Sequence, residues 1–85
     1  MSYFVYMLKC GDGSFYTGST SDVERRFNEH TAGKGSAYTR SRLPVKLIFT
    51  EPHANRAAAQ KREAQLKSWT RAEKQVFVKE DKKKT

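Results

Sequence analysis

The pattern of apolar residues at the start of the chain predicts two adjacent β-strands. Residues 3–8, Tyr-Phe-Val-Tyr-Met-Leu, are apolar, aromatic and in part β-branched, which is typical of a strand. Both faces of this strand are apolar, so we expect both to be covered. Gly11-Asp12-Gly13 contains turn-forming residues, and the β pattern resumes at residues 15–18. The two runs therefore predict an antiparallel hairpin.

The position of the turn also predicts which residues face each other across the hairpin. A turn centred on Asp12 pairs Leu8 with Tyr16 and Tyr6 with Gly18. Tyr6 and Tyr16 then lie diagonally on one face, whereas a slip of one residue would separate them. A glycine opposite Tyr6 leaves room for its ring or for the backbone of a ligand.

The spacing of apolar residues becomes helical after the second strand. Ser21 and Glu24 form a capping-box pattern, which predicts Ser21 as the N-cap of a helix over residues 22–31. Arg26 lies at the border of the apolar face, so we expect Arg26 and His30 to line the edge that packs on the sheet. The residues on that face are Val23, Phe27 and His30.

The next ten residues, 33–42, are predicted to form a loop rich in small residues and cations. Lys34, Tyr38, Arg40 and Arg42 are its candidate nucleic-acid-binding residues, because cations and accessible backbone amides in loops can meet phosphate. The alternative is an ordinary solvated connector.

The second half of the chain predicts a third strand followed by helices. An apolar run indicates a strand at residues 44–50, and residues 51–54 are expected to break it, with His53 as a solvated loop residue. Asn55 is the predicted N-cap of an alanine-rich helix over residues 56–68.

An acidic residue, Glu63, falls on the apolar face of that predicted helix. Two interpretations stay open: Glu63 pairs with a neighbouring cation such as Lys67, Lys61 or Arg62, or it presents a carboxylate inward to a cation or a metal. The residues on this face are Ala59, Glu63 and Leu66.

A second capping box, at Thr70 and Glu73, predicts a last helix that ends near Val78. We expect residues 1–78 to form the domain and the charged residues 79–85 to form a disordered tail. The predicted core anchors of this region are Trp69, Val76 and Phe77.

The amino-acid composition indicates which kind of partner the protein binds. The 85 residues suffice for one domain, and 17 Lys and Arg against nine acids give a net charge of +8. Such a basic chain predicts a polyanionic partner, most often nucleic acid, although a basic surface can also serve solubility alone. Cys10, the only cysteine, excludes an intramolecular disulfide. No apolar stretch approaches transmembrane length, so we expect no membrane partner. A single cysteine fits a reducing cytosol, and we expect a cytoplasmic protein.

Elimination leaves one set of candidate catalytic residues. The chain has neither a serine-histidine-acid order nor a His-x-x-x-His pattern. The remaining candidates suit phosphodiester chemistry: one carboxylate can help to hold Mg²⁺, a guanidinium can stabilise phosphoryl oxygens, and a hydroxyl or imidazole can deprotonate water. A packed aromatic core with one ion pair is the alternative explanation. The candidates are Tyr6, Tyr16, Arg26, His30 and Glu63.

These residues and their spacing resemble the GIY-YIG nuclease superfamily, in particular its small stand-alone single-domain bacterial members. Val5-Tyr6-Met7 stands where the family has its first motif, and Tyr16-Thr17-Gly18 stands where it has its second. Arg26 and His30 match the Arg-x-x-x-His helix of the family. Glu63 stands where the family carries its metal-binding glutamate.

The resemblance implies an α+β fold, a three-stranded antiparallel sheet flanked by helices in the order β-β-α-β-α-α. It also implies cleavage of DNA with one Mg²⁺ or Mn²⁺ ion on Glu63 and no small-molecule cofactor. Tyr6 or Tyr16 is then the candidate general base, Arg26 stabilises the scissile phosphate and His30 assists proton transfer or positioning.

Two classes of function therefore remain. The first is a metal-dependent endonuclease that acts on DNA in repair or processing, with branched or damaged DNA among its candidate substrates. The second is a non-catalytic nucleic-acid-binding module, or an adaptor subunit with a protein partner, on the same scaffold. The enzyme hypothesis predicts that the five candidate side chains converge on one open cleft.

Overall fold

The computed structural model describes the backbone of residues 2–83 and the side chains of residues 2–79. It confirms the α+β class and the three-stranded antiparallel sheet. A short helix, α2, lies inside the predicted loop, so the order contains one helix more than expected. The elements are β1 (Tyr3–Lys9), β2 (Phe15–Thr20), α1 (Val23–Thr31), α2 (Ala37–Arg40), β3 (Lys46–His53), α3 (Arg56–Lys67) and α4 (Arg71–Lys83).

Strand β1 is the centre of the sheet, whose strand order is β2-β1-β3. Its alternate residues enter two different cores, which explains why both of its faces are apolar. Val5 and Met7 pack with the buried residues of α3 and α4. Tyr6 and Leu8 pack on the opposite face, against which α1 lies. The sheet therefore separates two hydrophobic layers.

The predicted register of the hairpin is confirmed. Tyr6 lies opposite Gly18 and Leu8 lies opposite Tyr16. Because side chains alternate with a period of two, this register places Tyr6 and Tyr16 on the same face of the sheet. Their ring centroids are 6.3 Å apart.

Two of the three predicted helix caps are confirmed. The Asn55 side chain accepts a hydrogen bond from the backbone N–H of Ala58 at 2.9 Å, and the Thr70 and Glu73 side chains bond each other's backbone N–H groups. The prediction of Ser21 as the N-cap of α1 was wrong. Asp22 caps this helix, because its carboxylate accepts from the N–H of Arg25.

Strand β3 extends further than its sequence suggests, since it continues to His53. Pro52 does not end it because β3 lies at an edge of the sheet, where a strand tolerates a residue without an N–H group. The prediction of His53 as a solvated loop residue was therefore wrong. Its imidazole lies 2.8 Å from a carboxylate oxygen of Glu51.

The last helix differs from expectation at its end and on its buried face. Helix α4 continues to Lys83, beyond the predicted end near Val78. Val76 is exposed and is not a core anchor, whereas Val78 is buried. Residues 84 and 85 of the predicted tail lie outside the described residues, and the domain boundary at residue 78 stays a prediction.

Candidate active site

The hairpin places two tyrosine rings beneath helix α1, and a glycine makes room for one of them. A methyl group built at Gly18 would lie 2.6 Å from the hydroxyl oxygen of Tyr6. Any side chain at this position would therefore displace the phenol. Tyr6 is almost completely buried, with 2% of its surface exposed, whereas Tyr16 is only partly buried.

Helix α1 brings His30 to these rings. The Tyr6 hydroxyl lies 2.8 Å from Nε2 of His30, and the His30 and Tyr16 ring centroids are 5.1 Å apart. His30 is fully buried. The loop after α1 passes so close to the imidazole that a Cβ at Gly35 would collide with it. Gly18 and Gly35 therefore enclose the Tyr6–His30 pair.

Two further residues, Ser36 and Thr39, complete a buried chain of hydrogen bonds that the sequence had not indicated. Nδ1 of His30 lies 2.8 Å from the hydroxyl of Thr39, which in turn lies 3.0 Å from the hydroxyl of Ser36. Ser36 is the N-cap of α2 and accepts a hydrogen bond from the N–H of Thr39. A Ser-x-x-Thr capping pattern in the loop was the sequence signal for this short helix.

The partners of the His30 ring favour one tautomer. The Thr39 hydroxyl can donate to the Ser36 carbonyl oxygen, which lies 3.3 Å away, and accept from the ring. With its proton on Nδ1, His30 donates to Thr39 and accepts at Nε2 from the Tyr6 hydroxyl. This assignment gives each of these groups a partner of the correct kind.

Burial determines the protonation of this pair. Burial, followed by the charge of Arg26, lowers the pKa of His30 below its ordinary 6.5, while Glu29 acts in the opposite direction. Burial, with a smaller contribution from Tyr16, raises the pKa of Tyr6 to about 12, and Arg26 opposes that rise. Near neutral pH the pair is therefore a phenol beside a neutral imidazole, which is a proton acceptor.

Arg26 lies beside this pair at the border of the helix face, as predicted. Its guanidinium donates to a carboxylate oxygen of Glu29 at 3.0 Å and to the backbone carbonyl of Gly35 at 3.1 Å. These bonds hold the partly exposed guanidinium near Tyr6. An arginine fixed in this way presents a preorganised positive charge to an anion.

Glu63 approaches from the other layer of the fold. It lies on α3, and its two carboxylate oxygens are engaged separately. One accepts from the Ser19 hydroxyl at 2.7 Å, and the other is 2.7 Å from Nζ of Lys67. The ion pair with Lys67 was one of the two interpretations that the sequence left open. The negative charge of Glu63 also contributes to the raised pKa of Tyr6, so the carboxylate acts on the phenol across the edge strand β2.

The candidate residues therefore do not line a single open cleft as expected. Tyr6 and His30 are sealed inside the α1 layer, while Tyr16, Arg26 and Glu63 are partly exposed. The two layers meet at β2, which forms one edge of the sheet. Of the five candidates, only these three partly exposed side chains are therefore accessible to a molecule outside the domain.

The oxygen donors on the α3 side are of the kind that a hard divalent cation prefers. Glu63 and Ser19 supply a carboxylate and a hydroxyl, and the Thr17 hydroxyl on the same face of β2 is buried without a partner among the described residues. No group of three or more His, Cys, Asp or Glu side chains gathers within the described part of the chain. One carboxylate fits an ion that keeps most of its water, as Mg²⁺ does.

The four predicted nucleic-acid-binding residues lie in two different environments. Tyr38 stacks near Tyr16, with ring centroids 6.0 Å apart, and the guanidinium of Arg42 lies 3.9 Å above the Tyr38 ring. Arg42 also pairs with Asp12 at 3.1 Å. Tyr38 and Arg42 therefore extend the aromatic cluster towards the surface. The remaining two, Lys34 and Arg40, are exposed.

Comparison with known proteins assigns the family. The model of the GIY-YIG catalytic domain matches residues 2–76. The chain belongs to the GIY-YIG family. A UPF0213 protein of Haloquadratum walsbyi is 50% identical over 78 residues, which cover 92% of this chain and 88% of that protein. A UPF0213 protein of Streptococcus sanguinis is 51% identical over 77 residues, which cover 91% of this chain and 88% of that protein.

Solved structures of similar proteins share the fold. The solution NMR structure of a UPF0213 protein from Bacillus halodurans gives a TM-score of 0.59 at 42% identity. That of a protein from E. faecalis gives 0.62 at 44% identity. Each comparison covers 93% of this chain and 84% of the other. The resemblance to small single-domain members of the family is thus confirmed.

None of the helices in residues 2–83 combines the length and the apolar content that crossing a membrane requires.

Proposed function

We propose that this GIY-YIG domain is a metal-dependent endonuclease that hydrolyses DNA phosphodiester bonds in the cytoplasm. The observation that supports this most strongly is the buried hydrogen bond between Tyr6 and His30, held beside the guanidinium of Arg26. A core needs neither a sealed phenol–imidazole pair nor an adjacent cation for stability alone. Both are useful for moving a proton next to a phosphate.

The partly exposed residues define how substrate would meet the domain. A DNA backbone lying along β2 would bring its phosphate to Arg26, whose charge stabilises the oxygens of the pentavalent transition state. Tyr16, which is open to solvent where Tyr6 is not, positions the attacking water. As water adds to phosphorus and the bond to the leaving oxygen breaks, the proton of the water would move to the neutral imidazole of His30, with a tyrosine hydroxyl as the relay, and the leaving oxygen would take a proton from solvent.

Glu63, with Ser19 beside it, is the proposed ligand of one Mg²⁺ or Mn²⁺ ion. The ion would supply charge neutralisation at the phosphate and at the leaving oxygen. Lys67 must release the carboxylate for this to occur, since its Nζ lies 2.7 Å from it. An i,i+4 ion pair on a helix contributes only about 0.3–0.5 kcal/mol, so exchanging the exposed lysine for an ion costs little free energy.

Cleavage of plasmid and branched or damaged DNA with Mg²⁺, Mn²⁺ or chelator tests the proposal. We expect metal-dependent products from the wild type and a loss of about 100-fold or more in Glu63→Gln and Arg26→Ala. Glu24→Gln, an exposed glutamate of α1, is the matched control and should cleave normally. If every substrate stays intact with the wild type, or Glu63→Gln retains full activity, the proposal is wrong.

A non-catalytic nucleic-acid-binding module is the second candidate, and two observations favour it. Tyr6 and His30 are sealed from solvent, and Lys67 already neutralises Glu63. This function predicts salt-sensitive DNA binding that Glu63→Gln leaves unchanged, with no metal-dependent product. A stable protein partner recovered with the chain from cells would extend it to an adaptor subunit.

A further inference from the structure

A small basic cavity lies at the end of β2 away from Glu63, where three elements meet. Its volume is about 150 Å³, and it is lined by the turn after β1, the first residue of β2, helix α2 and helix α4. None of its residues belongs to the candidate active site described above except Tyr38, which stacks on Tyr16. The lining residues are Ser14, Phe15, Tyr38, Arg71 and Lys74.

Arg71 is folded back over the turn and does not extend freely from α4. A methyl group built at Gly13 would lie 2.6 Å from a guanidinium nitrogen of Arg71. Gly13 also has a φ of +85°, a conformation that residues with side chains rarely adopt. The glycine thus allows the guanidinium to lie against the backbone of the turn and to face the cavity.

Lys74 adds a second cation one helical turn later, on the same face of α4. Partial burial, with a smaller contribution from the charge of Lys67, lowers its pKa. A partly dehydrated ammonium near other cations favours the approach of an anion. Among the side chains that the structure describes, neither Arg71 nor Lys74 forms an ion pair with an acidic residue.

The acidic groups around the cavity already have hydrogen-bond partners. Asp12 accepts hydrogen bonds from Ser14 and pairs with Arg42. Glu73, next to Lys74 in sequence, turns its carboxylate to the backbone N–H of Thr70. The cavity is therefore positively charged where Arg71 and Lys74 line it.

We propose that this cavity is a second phosphate-binding subsite, which holds a backbone phosphate of the DNA several nucleotides from the bond that is cut. Ser14 and Ser19 lie at opposite ends of β2, about 17 Å apart at a strand rise of about 3.3 Å per residue. A phosphate held by Arg71 and Lys74 would thus align the backbone along β2. The subsite deepens the proposed function, and its identification as a DNA site rests on that function.

Salt-dependent binding of a fluorescent DNA duplex, measured by anisotropy without metal, tests the subsite. We expect Arg71→Ala with Lys74→Gln to weaken binding about tenfold and to reduce the slope of log K against log salt by about two. The matched control is Arg56→Ala with Lys61→Gln, which removes two exposed cations of α3 and should leave the slope nearly unchanged. Thermal unfolding checks that both double variants are folded. Lys74→Gln alone should reduce the slope by about one.

The length of the DNA provides a second readout. With the wild type, extending a duplex past the far end of β2 should increase affinity, and the Arg71→Ala, Lys74→Gln variant should lose that increase. Equal slopes and equal length dependence in this variant and the wild type would overturn the subsite, whether or not DNA is cleaved. A reduced slope in a protein that cleaves nothing would retain the subsite and reject the endonuclease.

Discussion

The two layers of the candidate site differ in how completely their side chains are fixed. On the α1 side, Tyr6 and His30 are buried and belong to a hydrogen-bonded chain that continues to Thr39. On the α3 side, Glu63 is a single partly exposed carboxylate with an exposed lysine as its partner. The proposed proton-transfer groups are thus preassembled, whereas the proposed metal ligand has to exchange Lys67 for the ion.

This difference assigns different roles to the two sides of the edge strand β2. Buried groups keep a defined protonation state because water cannot compete for their hydrogen bonds. An exposed carboxylate is suited to an ion that arrives with its water and with substrate phosphate. Replacing residues on the α1 side should therefore affect stability and activity together, while replacing those on the α3 side should affect metal binding with little change in stability.

The largest effect is expected for Tyr6→Phe. Removing the hydroxyl leaves Nε2 of His30 without its partner in a buried site, which costs about 1–3 kcal/mol of unfolding free energy. Cleavage should fall by about 100-fold or more if the pair transfers the proton. Chemical denaturation and single-turnover cleavage measure both quantities. Tyr3→Phe, a partly buried tyrosine of the same strand, should change neither by a comparable amount.

The next effect is expected for Thr39→Val, which has nearly the same shape but lacks the hydroxyl that bonds Nδ1 of His30. Stability should fall by about 1–3 kcal/mol, because a buried ring nitrogen loses its partner. The ¹⁵N shifts of the imidazole should also show a weaker preference for the Nδ1–H tautomer. Thr39→Ser should restore the tautomer; an unchanged spectrum in Thr39→Val would mean that Thr39 does not orient the ring.

The sequence predicted the hairpin and its register because these depend on local patterns: a turn at Asp12 and alternation on both sides of it. It did not predict that Thr39 contacts His30, since serine and threonine are common in loops and nothing local identifies a long-range partner. Ser21 and Asp22 are both good N-cap residues, and only the backbone conformation decides between them. The placement of residues within a strand or helix was therefore easier to predict from sequence than the contacts between these elements.

The location of Glu63 illustrates the same limit. Its helical position placed the carboxylate on the same face of α3 as Ala59 and Leu66, both of which are buried. Which side of the sheet α3 covers was not encoded in that pattern. The extension of β3 through Pro52 likewise depended on β3 being an edge strand, which only the topology shows.

A smaller effect is expected from pH. The pKa of His30 is lower in the folded protein than its ordinary 6.5. At pH values between the two, the unfolded chain therefore binds a proton that the folded protein does not. The stabilisation is present above pH 6.5 and is lost as the pH falls through the folded-state pKa. Denaturation at pH 7.5 and pH 5 should show lower stability at the acidic value. His30→Gln should reduce this difference, and a difference that the variant retains in full would assign it to other groups.

The smallest effect is expected for Lys67→Ala, which tests whether the two layers are independent. The unfolding free energy should fall by no more than about 0.5 kcal/mol, as for other i,i+4 pairs on helices, because the lysine that is removed is exposed. Loss of the competing ammonium should raise the affinity of Glu63 for Mn²⁺ severalfold, measured by the fraction of free ion in an EPR titration. Lys61→Ala, on the same helix, should leave that affinity unchanged. If Lys67→Ala instead weakens Mn²⁺ binding or disturbs the His30 resonances, then the layers are coupled, and Lys67 supports the site and does not compete with the ion.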